Sequence, residues 1–418
     1  MPRPVRLALR KNDLRRRRDS LCYRLLASGV MHMQFTHEHQ QIYDTTKKFV
    51  ETEINPHVTE WEKAGFWPAH EVLKKMGALG LLGISKPESV GGLGLDYSYQ
   101  VAFAEALGFC SCGGIPMAIG VQTDMATPAL ARFGSDYLKE NFLKPAVAGE
   151  MVAAIAVSEP GAGSDVAGIK TTARRVGEEY VISGSKLWIT NGTQADWACM
   201  LVNSGDGDRH GNKSLIVVPL DAKGVDRKQK LDKLGQRSSD TAMIFLDEVR
   251  VPARNLIGQE GKGFSYQMQQ FQEERLFLSA SIIAAMERVI DDTAAYTRQR
   301  QAFGQSILDN QYVQFRLSEL KTEVEALRAL TYRATTELVA GRDAALLASM
   351  AKLKSGRLGR EVTDACLQFW GGQGYMWESS VAQFYRDLRL HSIGGGADEV
   401  MLGIISKRLG YGGKKKSG

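Results

Sequence analysis

The sequence predicts an α+β fold in three successive blocks: a helical N-terminal domain, a β-barrel or sandwich middle domain, and a C-terminal four-helix bundle. Three observations predict it. Helical apolar spacing dominates residues 34–150, short β-rich runs between Gly, Asn and Asp turns begin at Met151, and long helical periods return from residue 263. The expected domains are therefore 34–150, 151–262 and 263–411, with a basic extension over 1–33 and a basic tail over 412–418. A chain of 418 residues with 44% apolar content can bury several cores.

In the first block Thr36 stands where an N-cap belongs. Ile42, Thr46, Phe49 and Val50 recur at helical spacing until Ile54-Asn55-Pro56 stops the run. Further helices are expected over 71–82, 97–107, 119–133 and 136–147. Gly91-Gly92-Leu93-Gly94 reads as a connector, because no strand precedes it. The second block gives strands over 152–157, 171–176, 180–184, 197–202, 214–219 and 241–249, with Ser204–Asp208 as a hairpin loop. The third gives four long helices over 264–298, 311–340, 342–369 and 398–409. Leu276, Ile282, Ile283, Met286 and Ile290 form an apolar stripe along the first of them.

The formal net charge of +6 belongs to the ends. Residues 1–30 carry +7 and Lys414–Lys416 carry +3, which leaves −4 between them and argues against a nucleic-acid function. Five cysteines without CxxC or His-paired zinc spacing indicate free thiols in a reducing compartment, with Cys110-Ser111-Cys112 as a buried helix end and no metal site. His37-Glu38-His39 lacks the spacing that puts two imidazoles on one helix face and is expected at the surface. No apolar run reaches the length needed to cross a bilayer. The expected location is the cytoplasm if the protein is bacterial. The Arg-rich, acid-poor start makes the mitochondrial matrix the alternative if residues 1–30 act as a presequence, and Met31 or Met33 could be the working start.

The chain is organised around Val157-Ser158-Glu159-Pro160-Gly161-Ala162-Gly163-Ser164-Asp165. Pro160 fixes its own φ and biases Glu159 toward extended backbone, while Gly161 and Gly163 permit turns closed to bulkier residues. The loop offers backbone N–H groups, one hydroxyl and little bulk. It is not a dinucleotide fingerprint: Val166 stands where the third glycine would be, and no clear helix follows.

This S-E-P-G-A-G-S-D loop, followed by K-L-W-I-T-N-G at Lys186–Gly192, resembles the acyl-CoA dehydrogenase family, and the resemblance runs from about Phe35 to Tyr411. It implies FAD-dependent α,β-dehydrogenation of an acyl-CoA thioester to the trans-2-enoyl-CoA, with an electron-transfer flavoprotein taking the electrons. It also implies that Val157, Ser158, Trp188 and Thr190 border the isoalloxazine ring and that Ser164 meets the CoA moiety. The segment Leu234–Thr241, with Phe245 and residues 249–252, fits the same pattern. Arg300-Gln301-Ala302-Phe303-Gly304 is similar to the family's R-x-x-F-G segment, and Gln368–Gly374 to its Q-x-x-G-G-x-G segment. By that likeness Arg300 and Phe303 meet the pyrophosphate and adenine half of a neighbouring subunit's FAD, while Gln368, Gly371 and Gly372 approach that half from the other chain. A homo-oligomer, a dimer of dimers, follows.

Removing the α-proton of a thioester needs a carboxylate base and a hydrogen-bonded carbonyl. In many members the base lies in a Tyr-Glu-Gly-Thr segment before the last helix. Here that region reads His391–Glu399, and the matching position is Gly395. Isovaleryl-CoA and some long-chain members instead carry it on the first long helix, directly before an arginine. Phe271-Gln272-Glu273-Glu274-Arg275 stands there, so Glu274 is the expected base, with Gln272 and Arg275 beside the substrate. Glu273, about 100° around the helix, should face elsewhere. Asp398 and Glu399 are the alternative carboxylates, at a helix start where acids also complement the dipole. The Gly395 N–H, with a flavin ribityl hydroxyl, would hold the thioester carbonyl. Glu399 would lie at the cofactor, and Ala397 replaces the family's threonine and loses its hydroxyl. Residues 393–400 are similar to bacterial enzymes acting on citronellyl-CoA, which suggests a medium or 3-methyl-branched acyl chain. Two rivals stand beside this reading: a flavin oxidase or monooxygenase on the same fold, and a non-catalytic acyl-CoA-binding paralogue.

Overall fold

The computed structural model describes residues 35–411. The basic extension, the basic tail, Cys22 and the presequence reading lie outside them. The first helix used below, α1 (His37–Phe49), starts as the sequence requires: Thr36 is its N-cap, and a capping box closes with His39 in place of the usual glutamate. His39 corrects the surface expectation. It is buried, stacks on Tyr99 at 3.7 Å between ring centroids and bonds Ser98 Oγ at 2.8 Å, because the capping geometry turns its ring inward. Nor does Pro56 end the helical run. It sits in a one-turn 3₁₀ segment after a π-turn, and helix resumes at Val58–Ala64, since proline is tolerated in a first turn.

The helix α2 (Tyr97–Leu107) is capped by Asp96 and buried nearly all round. The segment expected as one helix over 119–133 is three pieces: α3 (Gly114–Gly120), a π-turn at Val121–Ala126, and α4 (Pro128–Phe133). Among the described residues the middle domain is one eight-stranded sheet. Its strands are β1 (Ala153–Ala156), β2 (Thr172–Val176), β3 (Glu179–Thr190), β4 (Trp197–Asn203), β5 (Lys213–Pro219), β6 (Val225–Asp226), β7 (Thr241–Pro252) and β8 (Leu256–Ile257), in the order β6-β7-β3-β2-β4-β5-β8 with β1 parallel to β4. The strand expected to end at Gly184 continues through a bulge to Thr190, which carries Trp188 along the edge of the β3–β7 pair.

The helix expected unbroken over 264–298 divides into α5 (Gly263–Ala280) and α6 (Ile283–Gln299). Ser279 and Ser281 turn their hydroxyls back onto the carbonyls of Arg275 and Leu278, a bond that competes with helix continuation. The break has a packing consequence. Leu276, Phe277 and Leu278 of α5 join the core shared with the N-terminal helices and the sheet, whereas Ile282, Ile283, Met286 and Ile290 pack inside the bundle. The bundle continues through a short hairpin, β9 (Gln301–Ala302) and β10 (Gln305–Ser306), and then through α7 (Gln311–Val339), α8 (Ala345–Trp370), α9 (Ser380–Leu388), which periodicity missed, and α10 (Asp398–Leu409). Helix α8 packs against α5, α6, α7, α9 and α10. So α5 touches all three domains, and residues one turn before its end sit where they meet.

Candidate active site

Glu274 lies on α5 one turn before Leu278, and its side chain is buried. Its carboxylate forms no hydrogen bond among the described residues. Burial pushes its pKa up to about 7; the neighbouring Arg275 and Lys352 cations pull it down, and the Asp124 carboxylate pushes it up again. The carboxylate faces Gly395: a Cβ built on Gly395 would stand 3.2 Å from Glu274 Oε1 and only 2.2 Å from Leu278 Cδ1, and φ here is +66°. Backbone conformation and close approach both disfavour a side chain at 395. The Glu274 carboxyl thus occupies space beside the position that carries a glutamate in many members of the resembled family.

The loop carrying Gly395 is fixed from below. Lys352, fully buried on α8, donates to His391 O at 2.7 Å and to Gly396 O at 2.5 Å. Burial and the Lys352 charge hold His391 down to about 3, so its imidazole is neutral. Asp398 is buried and bridges to Arg360 at 3.3 Å and Arg357 at 3.7 Å, which leaves it committed to α8, whereas Glu399 is exposed. Gln272 keeps a buried Oε1 and Arg275 a buried Nε without partners among the described residues. Glu273 faces elsewhere, as its position around the helix requires, but not into solvent: it is buried and ion-paired with Arg132, and Tyr97 Oη donates to its carbonyl at 2.7 Å.

A second group of residues gathers on the sheet. The Leu187 N–H donates to Ser158 O at 3.0 Å, joining the loop of 157–165 to β3. Trp188 is 57% exposed at φ +61°, and a Cβ on Gly163 would lie 3.6 Å from its ring. The hydroxyls of Ser158 and Thr190 form no hydrogen bond among the described residues. An outward aromatic plate flanked by unengaged hydroxyls fits a flat, amphipathic ring with polar edges, and FAD has such a ring. Ser164 is exposed, beside an Asp165–Arg209 ion pair.

A third group lies at one end of the bundle. Tyr296 of α6 stacks on Trp370 of α8 at 4.1 Å, which sets Arg300 and the Gly371-Gly372 turn on the same end. Phe303 tips the β9–β10 hairpin, fully exposed and at φ +55°, so it contacts neither Glu274 nor Trp188 of its own chain. Arg300, Gln368, Gly371 and Gly372 are exposed too, and a Cβ on either glycine would meet nothing within 4 Å. Sequence reasoning missed Lys352, whose one signal was a lysine inside an apolar helical stretch. It also quoted Lys186 within K-L-W-I-T-N-G without assigning it a task.

The fold and the site define a three-domain flavoenzyme. Family profiles agree: acyl-CoA dehydrogenase N-terminal, middle and C-terminal domains match residues 36–150, 154–249 and 261–410. The mouse mitochondrial long-chain specific acyl-CoA dehydrogenase is 38% identical over 383 residues, covering 90% of this chain and 87% of that protein. A solved acyl-CoA dehydrogenase from Geobacillus kaustophilus superposes with a TM-score of 0.86 at 38% identity, covering 91% of this chain and all of that one. A Mycobacterium smegmatis glutaryl-CoA dehydrogenase solved in complex with FADH2 gives 0.84 at 27% identity, covering 91% of this chain and 97% of that one. The chain belongs to the acyl-CoA dehydrogenase family and is an FAD-dependent oxidoreductase. No described helix is long and apolar enough to cross a membrane, and the described residues contain no His/Cys/Asp/Glu cluster suited to a metal.

Proposed function

We propose that Glu274 is the base of this acyl-CoA dehydrogenase, and that the thioester binds with its α-carbon against the Glu274 carboxylate. One observation carries the proposal: a buried carboxylate with no hydrogen-bond partner among the described residues, poised near neutrality, faces Gly395, whose positive φ disfavours any side chain. Such a group takes a proton at working pH and later releases it. Bound FAD supplies the acceptor for the β-hydride. The Gly395 N–H donates to the thioester carbonyl and stabilises enolate character as the α-proton leaves. Gln272 and Arg275 line the approach, and their unpartnered buried polar atoms suit a polar substrate group. Glu273, committed to Arg132, takes no part.

The remaining assignments rest on likeness and exposure. Val157, Ser158, Trp188 and Thr190 border the isoalloxazine, Ser164 meets CoA, and Ala397 and Glu399 lie at the cofactor. By the family likeness of the two segments, Arg300, Phe303, Gln368, Gly371 and Gly372 complete FAD sites between chains of a dimer of dimers, and all five are exposed, as such a role requires. An electron-transfer flavoprotein receives the electrons. The likeness of residues 393–400 to enzymes acting on citronellyl-CoA supports a medium or 3-methyl-branched acyl chain.

Anaerobic flavin bleaching with a panel of straight and 3-methyl-branched acyl-CoAs tests the reading. Wild type and Glu273→Gln should bleach, and Glu274→Gln should lose about 100- to 10,000-fold in rate. Equal loss in both variants refutes the base assignment. Rapid peroxide formation during turnover supports the oxidase reading instead.

A further inference from the structure

Lys186 has its ammonium fully buried, on the strand that carries Trp188 two residues later. Its three N–H groups meet three acceptors: Glu159 Oε1 at 2.9 Å, Val157 O at 3.1 Å and Leu201 O at 2.6 Å. Glu159, also buried, uses its remaining capacity on the backbone N–H groups of Lys170 at 2.6 Å and Thr171 at 3.0 Å. Every proton of the cation and both oxygens of the anion are engaged. A buried pair is costly to desolvate and carries no stability of its own over an apolar replacement, so its position needs another reason.

The position supplies one. The pair ties the Val157 carbonyl and Glu159 of the loop to β3 immediately before the register break between Lys186 and Ile189. Trp188 sits in that break at φ +61°, a conformation that aromatic residues hold only where the surroundings over-determine it. The Leu187 N–H to Ser158 O bond lies between the two anchors.

We propose that the buried Lys186–Glu159 pair is the positioning element of the flavin face, holding Trp188 and the Val157–Ser158 backbone at a fixed separation so that FAD binds to a preformed surface. The inference rests on the reading that these residues border the isoalloxazine. Lys186 and Glu159 are buried, whereas Trp188 is exposed.

The test uses four variants: Lys186→Met, Glu159→Gln, the double Lys186→Met/Glu159→Gln, and Trp188→Ala. FAD Kd is measured by titrating flavin-stripped protein, alongside the Tm of that protein and its tryptophan emission referenced to Trp188→Ala. The expected result is a Kd raised at least ten-fold in Lys186→Met, with a shifted Trp188 emission before any FAD is added. The double variant should recover Tm, because no buried charge is left unpaired, yet keep the weakened Kd. If the double variant recovers both, or Lys186→Met lowers Tm at unchanged Kd, the pair is only structural and the inference falls. If Lys186→Met does not fold, the double variant and Glu159→Gln are read against the same criterion. Unchanged Kd and flavin spectrum in Trp188→Ala would overturn the flavin-face reading itself, a failure separate from the first.

Discussion

Replacing Glu274 with glutamine tests the burial argument through stability as well as rate. The folded protein holds this carboxyl at about 7, against an ordinary value of 4.5. A raised acid pKa means the folded state binds a proton the unfolded chain has released. The stability this contributes is present below the ordinary value and is lost as pH rises through about 7. Above neutrality the wild type therefore carries a cost of about 3 kcal/mol for ionising a buried, unpaired carboxylate. Glutamine has nearly the same shape and no ionisation. Glu274→Gln should match wild type at about pH 4.5 and exceed it by about 3 kcal/mol at about pH 8.5. For a chain of this size that is roughly 3 °C in Tm. Thermal unfolding of the FAD-loaded enzymes at both pH values, read as variant minus wild type, gives the difference directly. The same group should give kcat/KM of the wild type an acid limb near pH 7, where the base protonates. Tm differences that do not change with pH would refute the claim that Glu274 ionises with a raised pKa in a buried site.

Three other perturbations separate the remaining parts. Glu273→Gln breaks the bridge to Arg132, whose side chain is 39% exposed and can rehydrate, so stability should fall by only about 1 kcal/mol while proton abstraction persists in single-turnover kinetics. Gly395→Ala must hold φ +66° and press on Leu278, and should lose about 1–3 kcal/mol in chemical denaturation together with most turnover. Phe303→Ala removes a side chain that packs on nothing in its own chain; subunit stability should move by less than about 0.5 kcal/mol, while sedimentation shows a smaller assembly and absorbance shows lost flavin.

The sequence by itself determined the three-block architecture, because periods of 3.6 and 2 are local properties of neighbouring residues. Tyr97–Leu107 and the start of α1 at Thr36 follow directly from apolar spacing and a capping hydroxyl. The family also followed from sequence, since the S-E-P-G-A-G-S-D loop and the W-I-T-N-G segment are contiguous strings. The proposal of Glu274 over Glu273 also starts from sequence, from the family likeness at positions 395 and 271–275 and from position around one helix.

What the tertiary structure alone decided is where charge goes once chain segments far apart in sequence meet. Lys352 lies 43 residues before Gly395 in the chain yet holds its loop, and Glu273, expected only to face away from Glu274, is held by Arg132 from another domain. His39 turns inward in its capping box and stacks on Tyr99, and the long helix breaks at 281–282, where the core it packs against changes. Burial, partnering and proton affinity depend on the distance between residues that no local period connects. They are fixed only when the helix α5 is packed between all three domains.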